Sequence, residues 1–188
     1  MDIIVKNICR SFDDKKVLRN FSAVFKEGEC TCIMGESGCG KTTLLNILMG
    51  LMPADSGEIS GMPDKKSAVF QEDRLSPTLT AIRNVKITAG RISKHELIKH
   101  FERLNIHKSI HVKASSLSGG MKQRVAIIRA MLANFDILFL DEPFKGLDTQ
   151  SRDICIEYIK EHTKGKTVIM VTHDIKEAQL MDAQIINM

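Results

Sequence analysis

No apolar run in this sequence is long enough to cross a bilayer. The longest, such as Ile137-Leu138-Phe139-Leu140, last a few residues, against the roughly 20 that a spanning helix needs. The start, Met1-Asp2-Ile3-Ile4, has neither the basic opening nor the apolar segment of a secretory signal. The expectation is a chain that stays in the cytosol. None of the five cysteines sits in a CxxC pair, which argues against zinc and against a disulfide framework. Cys30 and Cys32 alternate on one strand face, and Cys9 and Cys155 fall in apolar-patterned stretches. Free, mostly buried thiols in a reducing compartment are expected. Charge of one sign is scarce too: a net +4 spread along the chain is weak support for a nucleic-acid partner, and none is expected. His95, His100, His107 and His111 have no metal-ligand spacing and read as part of a solvated face. The composition, 43% hydrophobic and 27% charged over 188 residues, is that of one globular domain with a real core and room for a small subdomain.

The most informative stretch is Gly35-Glu36-Ser37-Gly38-Cys39-Gly40-Lys41-Thr42. An apolar run, Cys30 to Met34, precedes it and reads as a buried strand; Thr43 to Met49 follows and reads as a helix. Strand, glycine loop and helix together make a phosphate-binding loop. The glycines let the backbone curl, so that successive N–H groups point at an anion. The helix start adds unpaired donors. Lys41 offers a point charge to the β- and γ-phosphates, and the Thr42 hydroxyl can ligate Mg²⁺.

Around this loop the pattern is α/β. Residues 2 to 12 alternate apolar and polar, Asp13-Asp14-Lys15-Lys16 reads as a turn, and Val17 to Phe25 resumes strand character, an antiparallel hairpin. Phe12, beside the turn, is open to two readings: a core aromatic, or a ring that stacks on a base. Gly50 and Pro53 to Gly57 close the first helix and begin a turn. Ser67 to Phe70 is a short strand ending at Gln71, whose amide could reach a metal or water or simply be solvated. Residues 74 to 116 switch to helical spacing, with Leu79, Ile82, Val85, Leu97, Ile98, Phe101 and Leu104 apolar. Ser118-Gly119-Gly120 opens a long helix with the stripe Val125, Ile128, Met131 and Leu132, and with Lys122, Gln123, Arg124 and Arg129 expected outward. That helix start is either a second anion site or a simple capped terminus.

Ile137 to Leu140 is a buried-strand run ending in Asp141-Glu142. Two carboxylates there are costly without a role. One can hold Mg²⁺ through water and the next can polarise an attacking water. Gly146-Leu147-Asp148 is a turn, 151 to 162 a helix, Thr167 to Thr172 a strand with His173 at its end. Asp174 and Glu177 resemble a capping box, and Ile185 to Met188 could begin a further strand. The glycine loop, Asp141-Glu142 and His173 each stand just past the carboxyl end of a strand. In a parallel sheet those ends share one edge, so these residues are expected to converge on one γ-phosphate.

Together these residues resemble the ATP-binding cassette ATPases, the nucleotide-binding subunits of ABC transporters, over nearly the whole chain. Gly35 to Thr42 is similar to the Walker A loop, Leu117-Ser118-Gly119-Gly120-Met121-Lys122-Gln123-Arg124 to the family signature, and Ile137 to Glu142 to Walker B with its catalytic glutamate. Gln71, Asp148 and His173 match the Q-loop, D-loop and switch histidine. Phe12 sits where the family carries its adenine-stacking aromatic.

The resemblance implies a P-loop NTPase, RecA-like parallel-sheet core with an N-terminal antiparallel β region and a small inserted α-helical subdomain: one domain over 1–188, with core 1–73 and 117–188 and helical part 74–116. It implies ATP and Mg²⁺ as ligands and Glu142, His173 and Lys41 as catalytic groups. Nucleotide contacts would come from Phe12, Gly35 to Thr43, Gln71, Ser118 to Gly120 and Asp148, and metal contacts from Thr42, Gln71 and Asp141. It further implies a head-to-tail homodimer, or pairing with a second cassette, in which Ser118 to Gly120 of one copy cap the γ-phosphate held by the other. Transmembrane permease subunits, reached through the Gln71 loop and the helical insert, would hold the chain at the inner face of the plasma membrane. An extracytoplasmic solute-binding protein is a further implied partner.

Val69 to Leu75, Met121 and Asp141 to Phe144 are similar to importer cassettes of the nitrate, sulfonate and taurine group. An exporter cassette or a soluble cassette ATPase is the alternative. A P-loop kinase would not need Ser118-Gly119-Gly120 or His173, and an ATP sensor without turnover would not need Glu142. The chain departs from the family in a short Pro53 to Ser67 segment, a short insert, Lys145-Gly146 before Leu147, and an end soon after His173, so no regulatory tail is expected.

Overall fold

The computed structural model describes residues 1–13 and 15–188. Asp14, part of the turn expected at Asp13 to Lys16, lies outside the described residues. Two strands, β1 (Ile3–Phe12) and β2 (Lys15–Phe25), pair antiparallel from Ile3↔Phe25 to Phe12↔Lys15. Next come β3 (Cys30–Met34), α1 (Lys41–Met49), β4 (Ser56–Ser60) and β5 (Lys66–Val69). The helical stretch holds α2 (Ala81–Lys86) and α3 (Lys94–Arg103). The chain then runs through α4 (Gly119–Met131), β6 (Ile137–Asp141), α5 (Thr149–His162), β7 (Thr167–Val171), α6 (Ile175–Leu180) and β8 (Gln184–Asn187).

The strands form two sheets, one ordered β2-β1-β4 and one ordered β5-β6-β7-β3-β8. Every pairing in the second is parallel, the arrangement that βα alternation favours. β6 and β7 are buried at every residue, as strands covered on both faces must be. Side-chain alternation then builds two cores. Ile137, Phe139, Ile169, Val171 and Ile33 face α1 and the antiparallel sheet, where they meet Leu44, Leu45 and Phe25. Leu138, Leu140, Val168, Met170 and Cys32 face the opposite way, onto Val125, Ile128, Tyr158 and Ile159 of α4 and α5. Leu97, Phe101 and Leu104 of the helical stretch belong to that second core.

Four expectations are corrected. β4 begins inside the stretch read as a turn; Gly57, at φ 103°, lies so close to β1 that a Cβ would meet the Lys6 and Asn7 carbonyls at 2.6 Å, so the residue that signals a turn here sits in a strand, against the irregular stretch of β1 between Lys6 and Cys9. Lys122, Gln123, Arg124 and Arg129 do not form a solvated face: Gln123 is buried and the other three are partly covered, because α4 packs against α2 and α5 and Gln123, Arg124 and Arg129 donate to carbonyls outside the helix. The capping box at α6 does not close. Asp174 accepts from the Lys176 N–H at 2.8 Å, while the buried Glu177 turns inward to accept from the Thr172 hydroxyl. His100 is half-buried, its Nδ1 2.9 Å from the Tyr158 hydroxyl, and burial holds its pKa below the usual histidine range.

The cysteines are free, as expected, with Cys32 and Cys155 buried and Cys9, Cys30 and Cys39 partly covered. Burial pushes the Cys30 and Cys155 thiols up to about 12 and Cys32 to about 11.

Candidate functional site

β3 delivers the chain to the glycine loop and α1 takes it away. Gly40, at φ 108°, caps α1. A Cβ there would stand 2.8 Å from Val17 Cγ1 and 2.9 Å from Leu18 Cδ2, so the loop seats on β2 only because this position has no side chain. Lys41 is 8% exposed and folds back over the loop, donating to the Gly35 and Glu36 carbonyls at 2.8 Å each. Its ammonium therefore stays inside the ring of the loop, where an incoming phosphate needs it.

Across the parallel sheet, Asp141 ends β6. Its Oδ1 accepts from the Thr42 hydroxyl at 3.3 Å, and burial pushes its carboxyl above the usual aspartate range. Glu142 follows at φ 47°. A non-glycine residue held there stores strain, and such residues concentrate where function needs a fixed direction. Its N–H donates to the Val171 carbonyl at 2.9 Å, which ties it to the end of β7. That bond brings it to His173, whose Nδ1 is 3.0 Å from Oε2 and 3.1 Å from Oε1. A carboxylate only accepts, so Nδ1 carries the proton of this bond. The bond, and then the charge of Glu142, raise the His173 pKa above the usual range. The direct contact between these two residues was not legible in the sequence, which placed them on separate strands.

These groups share one cleft of about 890 Å³ lined by Phe12, the glycine loop, Lys41, Thr42, Thr43, Gln71, Asp141, Glu142 and His173. The glycine loop, Asp141, Glu142 and His173 thus share one cleft at the strand ends, as a common sheet edge requires. Phe12 is 40% exposed, with the Arg10 guanidinium 5.0 Å from its ring centre; the core-aromatic reading fails. Glu36 and Cys39 are loop residues outside the lining, and Cys39 Sγ lies 3.7 Å from Lys41 Nζ. Ser118, Gly119, Gly120 and Asp148 are not in the cleft. The exposed Ser118 caps α4, accepting from the Met121 N–H at 3.3 Å. Asp148 caps α5, accepting from the Ser151 N–H at 2.9 Å and hydroxyl at 2.8 Å; these bonds hold its carboxyl below the usual range.

Sequence reasoning missed Lys15 and Lys145 as cleft residues. Lys15 carried no signal, since it reads as part of the turn; in the structure it begins β2, opposite Phe12. It also missed the anchor of the Gln71 loop. Arg129 donates to the Asp73 carbonyl at 3.0 Å and the Arg74 carbonyl at 2.8 Å, while the Arg74 guanidinium lies 3.6 Å over the Phe70 ring.

The family model described as ABC transporter matches residues 18–145. The nitrate transport protein NasD of Klebsiella oxytoca is 35% identical over 91% of this chain and 72% of its own length. The aliphatic sulfonates import ATP-binding protein SsuB 1 of Agrobacterium fabrum is 38% identical over 96% of this chain and 68% of its own. Among solved structures, a dimeric bacterial ABC transporter cassette superposes with a TM-score of 0.85 at 33% identity, over 99% of this chain and 94% of that one. A post-hydrolysis state of that ATP-binding cassette, bound to ADP and Pi, superposes at 0.83.

Proposed function

The chain belongs to the ABC transporter family as an ATP-binding, ATP-hydrolysing subunit, and from that premise we propose how its residues divide the work. Lys41 and the N–H groups of residues 35 to 43 cradle the β- and γ-phosphates, and Phe12 stacks on the base. Mg²⁺ suits the donors present. Thr42 and Asp141 offer hard oxygens already in hydrogen-bond contact, with Gln71 alongside in the cleft. Asp141 is a buried carboxylate whose charge burial disfavours, which a cation relieves. No trio of His, Cys, Asp or Glu forms a metal cluster among the described residues, so water and phosphate oxygens would complete the shell, as is usual for Mg²⁺. When bound, the ion neutralises charge on the phosphate oxygens. Glu142 orients the attacking water and accepts its proton; His173, beside it, holds the γ-phosphate oxygens.

The pocket is completed by a second cassette, of the same or a sister chain, arranged head to tail. The observation that carries this reading is the exposed start of α4: Ser118 and Gly119 are exposed and a Cβ at Gly119 would touch nothing within 4 Å. An exposed helix N-terminus outside the cleft suits an anion held by another copy. Asp148, exposed at the start of α5, would bridge to the partner copy. The segment 74–116, a helical subdomain within one domain, and the Gln71 loop would meet the permease. No helix among the described residues is long and apolar enough to cross a membrane, so membrane association would run through that permease, on the cytoplasmic side. Similarity to nitrate and sulfonate relatives supports import of cargo of that group, with an extracytoplasmic solute-binding protein presenting it.

ATPase activity per milligram is expected to rise with protein concentration until a dimer saturates. Constant specific activity down to a dilution where only single subunits are detected would overturn the paired reading. Lys41→Ala is expected to weaken ATP binding by about 2–3 kcal/mol, roughly a hundredfold in Kd, measured by equilibrium titration of a fluorescent ATP analogue.

A further inference from the structure

Gln123 is the most enclosed polar side chain of α4, 5% exposed. Its Nε2 donates to the Pro143 carbonyl at 2.7 Å. Among the described backbone bonds none takes that carbonyl. The carbonyl belongs to the residue directly after Glu142, the strained position at φ 47°. A strained residue persists only where its surroundings over-determine it. Here the Glu142 N–H is tied to Val171 at 2.9 Å and the Glu142 carbonyl accepts from Lys145 N–H at 3.2 Å. The ring of Pro143 fixes its φ, and Phe144 is buried at 3% exposure. The rotation left free in this turn is that of the Pro143 carbonyl, and Gln123 holds it.

We infer that Gln123 is a positioning residue for hydrolysis: its amide fixes the turn so that the Glu142 carboxylate meets the attacking water. The inference rests on the reading of Glu142 as the base. It adds a consequence for the paired state. Gln123 lies about one and a half helical turns from Ser118, so the helix whose start faces the partner's nucleotide also grips the turn carrying this chain's own base. A shift of α4 on closure reaches Glu142 through one hydrogen bond.

The test uses the full chain. Gln123→Met keeps the volume and removes the donor; kcat is expected to fall roughly tenfold or more with the Kd for ATP within about twofold. In a Glu142→Gln background the same change is expected to lower residual turnover no further, because both act on one step. Gln123→Glu sets a carboxylate against the Pro143 carbonyl at neutral pH, and protonation restores a donor, so its turnover relative to the parent is expected to rise as pH falls. Should Gln123→Met fail to fold, Gln123→Glu carries the test. Gln123→Met hydrolysing at the parental rate while Glu142→Gln is inactive overturns the role of Gln123 alone. A fall in kcat and ATP affinity together, with a pH-independent ratio for Gln123→Glu, marks a scaffold role and overturns it too. Parental turnover in Glu142→Gln removes the base assignment and the inference with it.

Discussion

Glu142→Gln is expected to bind ATP as the parent does and to cleave it roughly 10²–10⁴ times more slowly, the range lost with a general base. The amide has the shape of the carboxylate and can accept the Nδ1–H of His173 through its oxygen, so the pair observed at 3.0 Å survives geometrically. What disappears is the basic oxygen that takes the proton from water. With cleavage stopped, the ATP-bound pair of cassettes has no exit, and gel filtration with ATP should show a dimer that the parent forms only in passing. A second readout isolates the local chemistry. His173 is held above the usual histidine range by the hydrogen bond and charge of Glu142. Removing that charge is expected to lower its titration midpoint, measured by NMR of the imidazole. A Glu142→Gln chain that turns over ATP at the parental rate would end the assignment of Glu142.

Much of this site was legible because its parts are local. A phosphate loop is defined by glycines, a lysine and flanking periodicity, all within one window, and β6 and β7 announce themselves as short apolar runs. The rule that strand ends share an edge in a parallel sheet then brought Asp141 and His173 to the loop without any knowledge of strand order. The order β5-β6-β7-β3-β8 was not legible, since it is decided by long-range packing of faces that look alike in sequence. Three failures have a common cause. Gly57 reads as a turn because local propensity favours it there, yet it lies in β4, packed against the irregular stretch of β1 between Lys6 and Cys9. Gln123 and Arg129 read as solvent-facing because they are polar; they are covered because loop carbonyls arrive from residues distant in sequence. Glu177 reads as a cap, but a buried hydroxyl, Thr172, takes its carboxylate instead. In each case a tertiary partner overrode a local preference, and no window of sequence contains that partner.

Two inactive variants, mixed, are expected to recover activity. Lys41→Ala removes the cation of the glycine loop, and Ser118→Arg places a bulky cation on the exposed start of α4, against the positive end of the helix. Losing the Ser118 cap costs about 1 kcal/mol, a small part of a domain's stability, so the Ser118→Arg chain should fold and keep its own nucleotide loop. A dimer of either variant alone carries one defect in each of its two pockets and should show turnover near background. Two-fold pairing sets the loop of each copy against the α4 start of the other. In a mixed dimer one pocket therefore collects both defects, while the other combines the intact loop of the Ser118→Arg chain with the intact α4 start of the Lys41→Ala chain. With random pairing at equal amounts, half of the dimers are mixed and each holds one sound pocket, so turnover of about a quarter of the parental value is the ceiling for independent sites. Coupling between pockets would lower that figure without abolishing it. A pocket complete within one chain predicts the opposite pattern. Ser118→Arg would then lose only its helix cap and hydrolyse ATP unaided, and adding the Lys41→Ala chain would contribute nothing. The exposed Ser118 and Gly119, standing outside a cleft that already holds Lys41, Asp141, Glu142 and His173, are the reason to expect recovery.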